Sequence, residues 1–339
     1  MNNKIKNLAS ALMVAAFGAS FTACDDWTEP KSVDIIYNTP EQADPVAYAK
    51  YLESLRQYRD SDHKLAYLWF DNPSATADYN TRAQRVDALP DSVDFVVLTN
   101  PTDISSATLA EMEKAREERG IKFTYVIDFD ALKLAYLANQ ALATEEEPYS
   151  VDFLDFLTDS TATALSYAKN FDGIMIGYNG KLTNHLTPAE LTEYKNNENT
   201  FIGILNDWHS RNPEMQIDFC GKPQNVANKD LVNDCHVIFL SDSKTANSTY
   251  GFAMAKAAAS VDGVPTDRFG MITTFTDPAD EKVGYMADGQ LAVTALADWA
   301  NGEDVKAAGF TNIVHDYYSL PNPYPVIRGA LQLLNPGNM

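Results

Sequence analysis

Short apolar runs alternate with helix-like segments along nearly the whole chain, and that alternation limits it to very few folds. The strand-like runs lie at 64–70, 92–99, 121–129, 173–178, 215–219, 236–240, 269–275 and 310–315. Helix-like segments fall at 106–119, 151–170, 188–212, 228–233 (weak), 248–260, 285–301 and 324–334. An earlier one at 40–59 places Val46, Ala49, Leu52 and Leu55 at helical spacing. Eight buried strands alternating with helices is the pattern of an α/β protein of the (β/α)8 TIM-barrel type. The stretch from His63 onward is long enough for that fold, and 45% hydrophobic residues suffice for its core. An open doubly wound sheet is the rival, but no Gly-x-Gly-x-x-Gly follows the first run, so its nucleotide-binding form is not supported.

The fourth run reads Phe171-Asp172-Gly173-Ile174-Met175-Ile176-Gly177-Tyr178-Asn179-Gly180. It resembles the fourth strand of glycoside hydrolase family 18, the chitinases and endo-β-N-acetylglucosaminidases, whose signature is Asp-Gly-x-Asp-x-Asp-x-Glu. Asp172 and Gly173 match, while the later acidic places hold Met175, Gly177 and Asn179. The resemblance implies a last Glu that protonates the glycosidic oxygen, middle acids that orient the acetamido group, and attack by the substrate's own N-acetyl carbonyl. Asn179 carries an amide with no proton to transfer, and Gly177 has no side chain. The strand is kept and its chemistry is missing, so no catalytic residue is assigned. By alternation along a strand, Met175, Gly177 and Asn179 face the barrel interior, and Ile174, Ile176 and Tyr178 face the helices.

The amino terminus opens with Lys4 and Lys6, continues through an apolar run from Leu8 to Phe17, and reaches Phe21-Thr22-Ala23-Cys24. The run to Ala23 is diluted by Ser10, Gly18, Ser20 and Thr22 and falls short of the ~20 apolar residues of a membrane span. It reads as a secretory signal over 1–23. Cys24 resembles the lipidated cysteine of a lipobox, and Asp25, Asp26 and Glu29 behind it resemble the surface-export signal of Bacteroidetes lipoproteins. The expected organisation is signal peptide 1–23, lipid-anchored tether and helix 24–62, and barrel 63–339. The expected location is the outer membrane, as a cell-surface lipoprotein. The net charge of −21 argues against nucleic acid and anionic lipid headgroups as partners and fits a neutral sugar. Cys220 and Cys235 either bridge or sit in the core. Without Cys-x-x-Cys or His-x-x-x-His spacing, no metal or cofactor is expected.

Ligands of this fold sit at the carboxyl ends of the strands. The candidates there are Trp69, Asn100, Asp128, Asp130, Asn179, Asp242, Phe275, Tyr317 and Tyr318. Trp69 either stacks on a sugar face or plugs the barrel. By the resemblance, Ser241 replaces a Tyr that holds the N-acetyl group, Asp242 keeps its neighbouring Asp, and Tyr317-Tyr318 lie near an aromatic floor. The resemblance implies a surface module that binds N-acetylglucosamine-containing glycans, N-glycans ahead of chitin, for an uptake complex. Two alternatives stay open: an active endo-β-N-acetylglucosaminidase with its acid displaced to Asp128, Asp130 or Asp242, and a structural subunit of the complex that binds no sugar.

Overall fold

Each apolar run becomes one strand of a single closed sheet in the computed structural model, which describes residues 39–75, 81–144 and 148–337. The elements in order are α1 (Pro40–Ala43), α2 (Pro45–Asp60), β1 (Leu65–Phe70), β2 (Phe95–Leu98), α3 (Ser106–Arg119), β3 (Lys122–Asp128), α4 (Phe129–Ala141), α5 (Phe153–Leu165), β4 (Gly173–Tyr178), α6 (Pro188–Arg211), β5 (Gln216–Gly221), α7 (Asp230–Asp234), β6 (Ile238–Leu240), α8 (Thr249–Ala259), β7 (Phe269–Thr274), α9 (Ala292–Gly302), β8 (Ala307–Thr311) and α10 (Pro325–Leu334). The strands pair in parallel in chain order, and β8 returns to β1 to close the barrel. The expected signal peptide, residues 1–23, and Cys24 lie outside the described residues.

The chain divides into two units between Ala49 and Lys50. In the first, Thr39 and Gln42 form a reciprocal capping box on α1. The second is the barrel. Arg59, ahead of the expected barrel start at His63, bonds to the carboxylate of Asp94 at 2.8 Å and to the carbonyls of Asp91 and Val93 at 2.6 Å.

Strand alternation sorts the core into two layers. Tyr67, Phe95, Val97, Met175, Val237, Phe239, Ile272 and Ala307 fill the lumen, with Trp69 and Cys220 packed against them. The larger layer lies between sheet and helices and includes Leu68, Val96, Ile174, Ile176, Tyr178 and Ile238. Each such buried aliphatic side chain contributes about 1.5–3 kcal/mol. The interior is therefore a packed core and not a pore, as the fold requires.

Asp172, the matched acid of the fourth run, has a structural post. It accepts Arg116 Nε at 2.9 Å and the backbone N–H of Phe123 at 2.8 Å, tying β4 to α3 and the start of β3. The opening of the motif therefore has a structural role of its own.

Three expectations are corrected. β8 runs Ala307–Thr311 rather than 310–315. Its start is made of small residues because the lumen is crowded there: a side chain at Gly309 would stand 2.8 Å from the Trp69 ring. Helix α4 was not expected. It starts immediately after β3 because the Asp128 side chain accepts the Ala131 N–H at 2.7 Å and caps it. The segment before α9 is a turn, closed by Met286 N–H to Gln290 O at 2.8 Å, so that helix begins at Ala292 rather than 285.

Candidate functional site

The carboxyl ends of β3 to β6 bring a set of polar side chains together at one mouth of the barrel. Asn179 is its centre. Its amide Nδ2 donates to Asp130 Oδ2 at 3.0 Å, and its Oδ1 accepts the hydroxyl of Ser241 at 2.7 Å. The Asn179 carbonyl accepts Asn225 Nδ2 at 2.8 Å. An amide suits this place because it can donate to a carboxylate and accept from a hydroxyl at once. It still cannot act as an acid.

Asp128 is half-buried beside it, at the end of β3. Burial raises its carboxyl above the usual carboxylate range, and the nearby Asp130 adds to the rise, while the Ala131 N–H opposes it. On β5, Cys220 lies against the lumen core, and burial pushes its thiol up to about 12. It and Cys235 are free. Asp242 is exposed and pairs with Lys222 at 2.9 Å, joining the loops after β5 and β6. As an exposed pair it adds little stability, but it sets both charges on the rim.

The other candidates scatter. Trp69 is half-buried and meets Phe239 edge to face, ring centres 5.7 Å apart. The Asn100 side chain turns to Thr102 within its own loop, accepting its hydroxyl at 3.1 Å. The backbone of Asn100 is stapled by Asn72, which accepts its N–H at 3.0 Å and donates to its carbonyl at 2.7 Å. Phe275 offers no face to a ligand: it is buried in the helix-facing core. Tyr317 and Tyr318 do not end β8. They follow a 3-10 turn, Ile313–Asp316, and Tyr317 packs edge-on against buried Tyr324 at 5.4 Å while Tyr318 stays exposed. Asp316, next to them, is buried and accepts the Ile327 N–H at 2.8 Å, holding the start of α10.

Asn72, Lys222 and Asn225 were not singled out from the sequence. Nothing local marks them, because each acts on a loop from another strand. Ser241 enters the sequence reading only as the residue standing in place of a Tyr, and the structure gives it a definite partner in Asn179.

Comparison with known proteins agrees with this architecture. Residues 28–333 match the family described as glycoside hydrolase family 18, BT1044-like. A selenomethionine-substituted point variant of BT1044 superposes with a TM-score of 0.58 at 16% identity, over 88% of this chain and 94% of that one. The endo-β-N-acetylglucosaminidase from Cordyceps militaris in apo form gives a TM-score of 0.57 at 14% identity, covering 85% and 96%. A double mutant of the Cordyceps enzyme in complex with fucosyl-N-acetylglucosamine-Asn gives 0.54 at 13%, covering 84% and 95%. No curated protein matches the sequence. With its closed eight-stranded barrel and a match spanning most of its length, the chain belongs to glycoside hydrolase family 18, in its BT1044-like branch.

Proposed function

We propose that this protein is a cell-surface lipoprotein whose family 18 barrel binds N-acetylglucosamine-containing glycans, N-glycans first, and does not hydrolyse them. The observation that carries the reading is the state of β4. Met175 is enclosed in the lumen, Gly177 has no side chain, and the amide of Asn179 is held between Asp130 and Ser241. None of the three can donate a proton to a leaving oxygen near neutral pH. The ligand class is taken from the Cordyceps complex, which holds an N-acetylglucosamine glycan. The half-exposed polar groups at the mouth, together with half-buried Trp69 at the end of β1, are the residues that would hold it.

Incubation with a labelled high-mannose glycoprotein tests the reading. Retention without cleavage is expected. Turnover by the unmodified protein that is lost on changing Asp128, Asp130 or Asp242 would make it an enzyme with a displaced acid, and neither retention nor turnover would favour a structural subunit. For the anchor, the expected result is that Cys24→Ala abolishes labelled-palmitate incorporation; incorporation that persists would remove the lipoprotein assignment.

A further inference from the structure

β3 and β4 are neighbours, and their pairing sets Asp128 directly opposite Gly177. A Cβ built on Gly177 would stand 2.8 Å from the Asp128 Cγ and 2.9 Å from its Cβ, with Oδ2 nearer still. Carbon atoms at van der Waals contact are about 3.5–4.0 Å apart. The Asp128 side chain therefore fills the volume that a side chain at 177 would need. One of the two strands can carry a carboxylate there, and here it is β3.

Asp128 is more than a filler. Its carboxyl takes the backbone N–H groups of Ala131, on Oδ1, and of Asp130, and Oδ2 is the oxygen directed at the vacant side of Gly177. Across Gly177, the next strand presents Cys220, an uncharged thiol. Among the described residues no cation pairs with Asp128, whereas Asp242, after β6, has Lys222. A half-buried carboxylate oxygen facing the mouth without a cation is matched by a donor brought by a ligand, an N–H or an O–H.

We infer that Asp128 supplies, from β3, the ligand-facing carboxylate that β4 lacks at position 177, and that it selects glycans presenting a hydrogen-bond donor at that point. The ligand half of this inference rests on the glycan-binding reading above; the shared volume does not.

Moving the carboxylate across the pair tests both halves. The proteins compared are the wild type, Gly177→Asp, Asp128→Gly, and the double swap carrying both changes. Glycine is an acceptable residue at a helix N-cap, so losing the Asp128 cap alone does not unfold α4. In thermal denaturation without ligand, Gly177→Asp is expected to lower the midpoint, and adding Asp128→Gly to recover most of that loss. In calorimetric titration with a high-mannose N-glycan, Asp128→Gly is expected to weaken binding about tenfold or more, as loss of a charged hydrogen bond does, and the double swap to regain most of it. A Gly177→Asp variant as stable as wild type would overturn the shared volume. A double swap that regains stability but not affinity would overturn the ligand role of Asp128 while glycan binding itself stands. A wild type that binds no glycan would overturn the functional reading and the ligand role with it, and the thermal arm would still decide the shared volume.

Discussion

Two polar clusters occupy the interior of this barrel, one centred on Asp218 and the other on Asp128 and Asn179 at the mouth. The first spans the lumen from β5 to β1, the second gathers residues at or just beyond the ends of β3, β4 and β6, and both contain a carboxyl group. Asp218 is fully enclosed and accepts the Tyr67 hydroxyl at 3.0 Å, the Gln216 amide at 3.1 and 3.2 Å, and the Val237 N–H at 3.1 Å. Burial still raises it to about 7, against the pull of those donors. His236 stands 3.8 Å away, close enough for an ion pair if it were charged. Burial and the charges of Lys306, Lys122 and Arg268 hold it neutral, down to about 4. At the mouth, Asp128, Asp130 and Asn179 are only half-buried. The difference teaches that an inward-facing carboxyl does not by itself mark a binding site. Access does.

The sharpest break of this comparison is Asp218→Ala. It strands the Tyr67 hydroxyl and the Val237 N–H in a closed space, while the Gln216 amide keeps the Tyr67 oxygen; at about 1–3 kcal/mol each, a loss of about 2 kcal/mol or more is expected in urea denaturation, with glycan affinity unchanged in the folded fraction. A loss under about 1 kcal/mol would mean that water reaches the cluster and the contrast is false.

pH separates the clusters next. Asp218 holds its proton more tightly folded than unfolded, so its contribution to stability is greatest at low pH and is lost as pH rises from 3.8 to about 7. His236 is depressed from 6.5 to about 4, so its contribution is lost as pH falls through that window. The two oppose each other. Asp218→Asn removes the falling arm and leaves the rising one. Its urea midpoint should therefore climb from about pH 4 to about pH 6.5 more steeply than that of the wild type; parallel curves would dismiss the assignment.

On the proposed function, ligand binding belongs to the mouth. Trp69→Ala should weaken glycan binding by about 2 kcal/mol, or more than tenfold, as loss of an aromatic anchor does. Asn179→Ala should cost about 1 kcal/mol, the worth of a neutral hydrogen bond. Trp299→Ala gives the smallest effect on binding, none, because Trp299 lies on α9 against Phe252, ring centres 5.3 Å apart; only stability should fall. Calorimetry on the three variants, after circular dichroism, orders them. Undiminished affinity for Trp69→Ala and Asn179→Ala would move the site off the mouth.

Periodicity and punctuation in the sequence determined the barrel itself, the bounds of β4 and the side of the sheet on which Met175, Ile174 and Tyr178 lie, because alternation along a strand is a local property. The limits of β8 were not legible. Ala307, Ala308 and Gly309 have little strand preference of their own, and they pair because β1 and β7 lie on either side and Trp69 needs the room. Phe275 and Tyr317 looked like rim aromatics for the same reason: nothing in a run of residues says whether a ring beyond a strand turns to the mouth or to the helices. Tertiary structure alone brought Ser241 to Asn179, paired Lys222 with Asp242, and set Asp128 in the space beside Gly177. Those contacts join residues on different strands or their loops. Local preference chooses each strand's faces, while only closure of the sheet decides which side chains meet.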